Sequence, residues 1–98
     1  MTININKEGS KLTVSVAGRL DTTTSPDLEK ALDEAFGSTT ELVFDFKDLE
    51  YISSSGLRVL LKAQKKMNRV GTMKVCHIND LIAEVFEVTG FVDILTIE

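Results

Sequence analysis

The run Leu42-Val43-Phe44-Asp45-Phe46 is mostly apolar, and a strand of that composition reads as a central one, covered on both faces. The rest of the chain has to supply that cover. Leu12, Val14 and Val16 alternate with Thr13 and Ser15, the period of a strand with one face more buried than the other. Ile3 and Ile5 make a shorter strand before it, and Lys7-Glu8-Gly9-Ser10 reads as the hairpin turn between the two. Ser25-Pro26 has the form of a helix start, a hydroxyl N-cap followed by proline at the first helical position. Asp27 and Glu29 follow where the helix dipole favours negative charge. Leu28, Ala31, Leu32, Ala35 and Phe36 recur at helical spacing, and Gly37 stops the helix. A second helix is expected from about Ser54 to Arg69 or Val70, with Gly71 as its end. Met73 to Ile78 is a further strand region. Asn79 can cap a third helix with apolar positions Leu81, Ile82, Val85 and Phe86, and Gly90 stops it. Val92 to Ile97 reads as a last strand. The order β-β-α-β-α-β-α-β predicts one α/β domain over residues 1–98, with a mixed sheet of four to five strands and three to four helices. The sheet is mixed because the first two strands form a hairpin while each later β-α-β crossover gives a parallel pair.

Ninety-eight residues suffice for one core and no more. With 43% hydrophobic but only 6% aromatic residues and no Trp, that core is aliphatic. The net charge of -4 argues against binding nucleic acid or an anionic membrane, which both need a dominant positive field. Met1 to Asn6 shows no basic region followed by an apolar one, and no apolar run approaches the roughly 20 residues that span a bilayer. A cytoplasmic location is the expectation. Cys76 is the only cysteine and stands beside the only histidine, His77. An internal disulfide is ruled out, and zinc would need carboxylates from elsewhere. No metal site and no cofactor are expected.

The stretch from Asp48 to Leu61 carries the functional argument. A strand leads through a short loop into Ser53, Ser54, Ser55 and Gly56, and then into an amphipathic helix. Three readings are open. The serines can simply cap the helix, a role worth about 0.5–2 kcal/mol that needs only one hydroxyl. One of them can be a regulated phosphate acceptor, since a helix N-terminus stabilises the roughly two added charges. A catalytic serine is the third, but no glycine sits two residues before any of the three, and His77 would have to be the base.

The helix after the serines adds a second feature. Arg58, Lys62, Lys65, Lys66 and Arg69 form one stripe, opposite Leu57, Leu60, Leu61, Gln64 and Met67. No acidic residue occurs between Arg58 and Asn79, and Lys74 adds a sixth positive charge. The stripe is either a solvated face or a docking surface for an acidic partner.

Three segments resemble the stand-alone STAS domains of the bacterial anti-sigma factor antagonist family: Gly18-Arg19-Leu20-Asp21, Leu49 to Leu57, and Val88-Thr89-Gly90-Phe91. The resemblance covers nearly the whole chain. It implies a partner switch and not an enzyme: the unphosphorylated protein binds an anti-sigma factor that is also a serine kinase, a sigma factor is freed, phosphorylation ends the complex, and a phosphatase resets it. Carried over by position, Ser54 matches the phosphoacceptor, with Ser53 and Ser55 as rivals. Asp21 matches an acidic residue near that serine. Thr22, Thr23 and Thr24 occupy the adjacent loop, and Gly56 and Leu57 begin the helix under the site. The implied partner surface is Asp21, Thr22, Thr23, Ser53, Ser54, Ser55, Gly56, Leu57 and Arg58. Two positions depart from the family pattern: Ser53 replaces an Asp, and Arg58 replaces a small residue. The alternative is a constitutive, never-phosphorylated STAS interaction module in a signalling or membrane-associated complex.

Overall fold

Gly9 adopts φ +61°, the left-handed turn conformation that glycine reaches without steric cost. It lets strand β1 (Thr2–Glu8) fold back on β2 (Lys11–Leu20) in an antiparallel pair running from Thr2 opposite Ala17 to Glu8 opposite Lys11. The computed structural model describes all 98 residues. After β2 come α1 (Ser25–Phe36), β3 (Glu41–Asp45), β4 (Leu49–Ile52), α2 (Ser54–Val70), β5 (Thr72–Cys76), α3 (Asp80–Val88) and a 3-10 turn at Phe91–Asp93. The sheet runs β1-β2-β3-β5, with β4 paired to the end of β2; every pair except the first is parallel.

The alternating face of β2 behaves as its pattern requires: Leu12, Val14 and Val16 are fully or almost fully buried. They belong to one cluster of 20 apolar side chains, joined by Leu42 and Phe44 of β3, Leu28 and Leu32 of α1, Leu57, Leu60 and Met67 of α2, and Ile82 and Phe86 of α3. Val43, on the opposite face of β3, is buried but lies outside this cluster. The main core therefore sits on one side of the sheet, and the central strand is not symmetrically sandwiched.

Three expectations need correction. The segment leading out of β3 contains a strand of its own: Phe46 closes a short turn by accepting the Leu49 N–H at 3.0 Å, and Leu49–Ile52 then pairs with Gly18–Leu20. The expected last strand at 92–97 is instead the 3-10 turn followed by a single parallel bridge between Ile97 and Val75. Gly90 (φ +80°) turns the chain, and the Leu95 N–H donates to the Phe91 carbonyl, so the tail docks through buried Leu95 without extending. The start of α1 also differs. Ser25 is its first helical residue and not its cap, and Thr24 at the cap position makes no capping bond.

Candidate functional site

Asp21 supplies the order that a cap would have given. Its Oδ1 accepts the N–H groups of Thr23 (3.0 Å) and Thr24 (3.1 Å), while its backbone carbonyl accepts the Ser25 N–H at 2.8 Å and the Ser25 hydroxyl at 2.6 Å. The Thr24 N–H bond is the main reason the Asp21 carboxyl is held below the usual aspartate range. Partial burial opposes the shift, and the Thr24 hydroxyl, the Thr23 N–H and the Arg19 guanidinium add to it. Arg19 Nε stands 3.9 Å from Asp21 Oδ2, and its guanidinium lies 4.2 Å from the centre of the Tyr51 ring.

The β2–α1 loop and the start of α2 are joined at two points. The Ser53 N–H donates to the Leu20 carbonyl at 2.9 Å, and the Thr22 and Ser55 hydroxyls share a hydrogen bond of 3.3 Å. The three serines consequently have different environments. Ser53 is the N-cap of α2, and its Oγ accepts the Gly56 N–H at 3.4 Å. Ser55 is half-buried against Thr22. Ser54 is the exposed first residue of the 17-residue helix, and its hydroxyl has no partner within the protein. In the first turn of a helix the backbone N–H groups have no intrahelical carbonyl to bond, and α2 carries no acidic residue there. An anion added at Ser54 would thus meet free donors and the positive end of the helix dipole.

The other sequence-derived candidates divide by accessibility. Thr22, Thr23 and Arg58 are exposed, and Asp21 is half-buried with one oxygen spent on its own loop. Gly56 and Leu57 are buried and support the surface from beneath. Thr24 turns inward, its hydroxyl donating to the Arg19 carbonyl at 2.8 Å. The Thr22–Ser55 bond and the Arg19–Tyr51 stack were not legible in the sequence, because both join residues more than 30 positions apart.

His77 lies past the end of β5, not within a strand, and is the one non-glycine residue with positive φ, at +61°. Its Nδ1 is 3.0 Å from Asp45 Oδ1. Burial pushes the Asp45 carboxyl up, but hydrogen bonds from the His77 ring and the Lys47 N–H outweigh it and leave the carboxyl below its usual range. No hydrogen bond links His77 to a serine, and no three His, Cys, Asp or Glu side chains are grouped as metal ligands. No helix is long and apolar enough to cross a membrane.

On the far side of α2 the five residues of the basic stripe are exposed, and two of them reach α1. Lys62 pairs with Glu29 at 3.3 Å, and the Lys66 ammonium stands 3.8 Å from the centre of the Phe36 ring. Between the two helices lies a groove of about 370 Å³.

The STAS domain family model matches residues 2–98. The anti-sigma F factor antagonist of Paenibacillus polymyxa is 31% identical over 102 residues, an alignment that covers 99% of this chain and 87% of the relative. The crystal structure of an anti-sigma factor antagonist from Mycobacterium paratuberculosis superposes with a TM-score of 0.88 at 25% identity, over 98% of this chain and 83% of that one. SpoIIAA, solved in unphosphorylated and phosphorylated forms, shares the fold with TM-scores of 0.78 and 0.77 at 16% and 17% identity, over 99% of this chain and 87% and 91% of those chains. From its second residue to its last, this chain belongs to the STAS domain family.

Proposed function

We propose that this protein is a cytoplasmic anti-sigma factor antagonist and not an enzyme. It binds an anti-sigma factor with serine kinase activity through the surface shared by the β2–α1 loop and the start of α2, and phosphorylation of Ser54 ends that binding. The observation that carries the proposal is the different state of the three serine hydroxyls. Those of Ser53 and Ser55 are engaged, as a cap and against Thr22, whereas that of Ser54 is exposed and unpartnered at the helix N-terminus. Relatives that align over nearly the whole chain are named anti-sigma factor antagonists, and SpoIIAA is one whose phosphorylated form has been solved.

The physical logic of the switch is local. Phosphate adds about 1.5 to 2 negative charges. The helix N-terminus tolerates them, so the fold survives. A partner packed over Ser54 would have to desolvate the new dianion, and burying an uncompensated charge costs more than the roughly 1.4 kcal/mol that weakens binding tenfold. The test is incubation with ATP and the partner kinase, followed by mass spectrometry of the peptides. Phosphate on Ser54, with none on Ser54→Ala, supports the proposal. Equal phosphorylation of Ser54→Ala moves the acceptor to Ser53 or Ser55, and a persistent lack of phosphate with intact partner binding favours a constitutive module.

A further inference from the structure

The charges of the second half of the chain are segregated by element. From Ser54 to Lys74 there are six basic residues and no acidic ones, whereas from Asp80 to the end there are five acidic residues and no Lys or Arg. Each set borders an apolar feature without a partner. On the acidic side it is the outer face of α3, where Leu81 is 51% exposed and Val88 76% exposed. Val85 lies half-buried between them, and the i, i+4, i+7 spacing makes the three one stripe. Asp80, Glu84 and Glu87 all border the stripe on one side, opposite buried Ile82 and Phe86. On the basic side it is the groove between α1 and α2. Its floor includes half-buried Phe36 and Ala63, and its lining carries Lys62, Lys65, Lys66 and Arg69 against only Glu29 and Asp33.

An apolar groove with one cationic wall, here the α2 side, takes an amphipathic helix with an apolar stripe and one acidic side. This chain carries such a helix. Lys66 lies over Phe36 and can swing aside, as long lysine stems do over apolar surface. Lys65 and Arg69 form no ion pair within the chain and remain available to incoming carboxylates. We propose that α3 of one copy docks in the α1/α2 groove of a second copy. The two faces are different patches of one surface, and the proposed contact is the unreciprocated, head-to-tail one, which leaves a free groove at one end and a free α3 at the other. One short helix in a shallow groove buries little area, so the association is weak and transient. It is also sensitive to salt, because the rim charges are exposed.

The test is sedimentation equilibrium on the full chain up to about 1 mM protein, a concentration that detects Kd values to about that limit, at about 0.02 M and about 1 M salt. The expected result is a weight-average mass that rises past that of a dimer at low salt and falls back towards the monomer at high salt. Two double variants then assign the faces: Leu81→Gln with Val88→Gln removes the apolar stripe, and Lys65→Glu with Arg69→Glu reverses the rim. All four positions are exposed, and circular dichroism confirms that each variant is folded. Each variant alone should stay monomeric. Their mixture should form a one-to-one dimer and stop there, since it contains one intact groove and one intact α3 face. A wild-type chain that is monomeric throughout overturns the proposal. So does association that stops at a dimer and ignores both variants, or a mixture that stays monomeric.

Discussion

A Cβ atom placed on Gly56 would lie 2.8 Å from Cγ of Leu20 and equally close to Cγ1 of Ile52. Leu20 is wholly buried at the end of β2, and Ile52 ends β4. The absence of a side chain at Gly56 is what allows the first turn of α2 to lie flat on both strands and fixes the height of Ser54 above them. In an unconstrained helix, Gly→Ala stabilises by up to about 1 kcal/mol. Here overpacking should dominate and Gly56→Ala should destabilise by about 1–3 kcal/mol, lowering the melting temperature by at least about 4 °C in a domain of this size. A melting temperature equal to or above wild type would show that the contact is relieved without cost.

Ser53 caps α2 through a long hydrogen bond of 3.4 Å to the Gly56 N–H. Ser53→Ala should therefore cost stability near the lower end of the capping range, about 0.5–1 kcal/mol. Ser53→Asp should stay within about 0.5 kcal/mol of wild type, since Asp caps as well as Ser and its charge suits the helix N-terminus. Urea denaturation of the three proteins separates these outcomes. A Ser53→Ala variant as stable as wild type would mean that the cap contributes nothing, and equal losses for Ala and Asp would mean that Asp does not cap here.

The Asp21 carboxylate organises the β2–α1 loop as an acceptor of backbone N–H groups. Its pKa is lowered on folding, so its contribution to stability is complete above the unfolded value of about 3.9 and is lost as pH falls through the lower folded value. The loop should remain intact at pH 4 and loosen only below it. Carbon-detected NMR titration of the Asp21 side chain should give a midpoint below about 3.9, and a midpoint above that value would contradict the geometry.

The elements with strong periodicity were legible in the sequence. Leu12, Val14 and Val16 gave β2, and Asn79, whose Oδ1 accepts the Ile82 N–H at 2.9 Å, gave the start of α3. The misses have physical causes. Leu49–Ile52 is only four residues long and is buried at its two ends and exposed between them, so it lacks the alternation that marks a half-buried strand. Val92 and Ile94 gave the tail a strand-like composition, but local hydrogen bonding back to Phe91 overrode it. At the site, three consecutive serines marked the helix start, but their different roles depend on Leu20 and Thr22, which lie more than 30 residues earlier. The spacing of the basic stripe on α2 fits a solvated face or a docking face, and its five residues are exposed. Two of them also reach α1, which the spacing on α2 alone could not reveal.

The proposed switch is tested most directly by the affinity of the cognate anti-sigma factor for the wild-type chain, measured by titration calorimetry with and without stoichiometric phosphate on Ser54. A Kd at least about tenfold higher is expected for the phosphorylated chain, with an unchanged circular dichroism spectrum, because the helix N-terminus accommodates the charge while the partner cannot. Equal affinities for the two forms would contradict it.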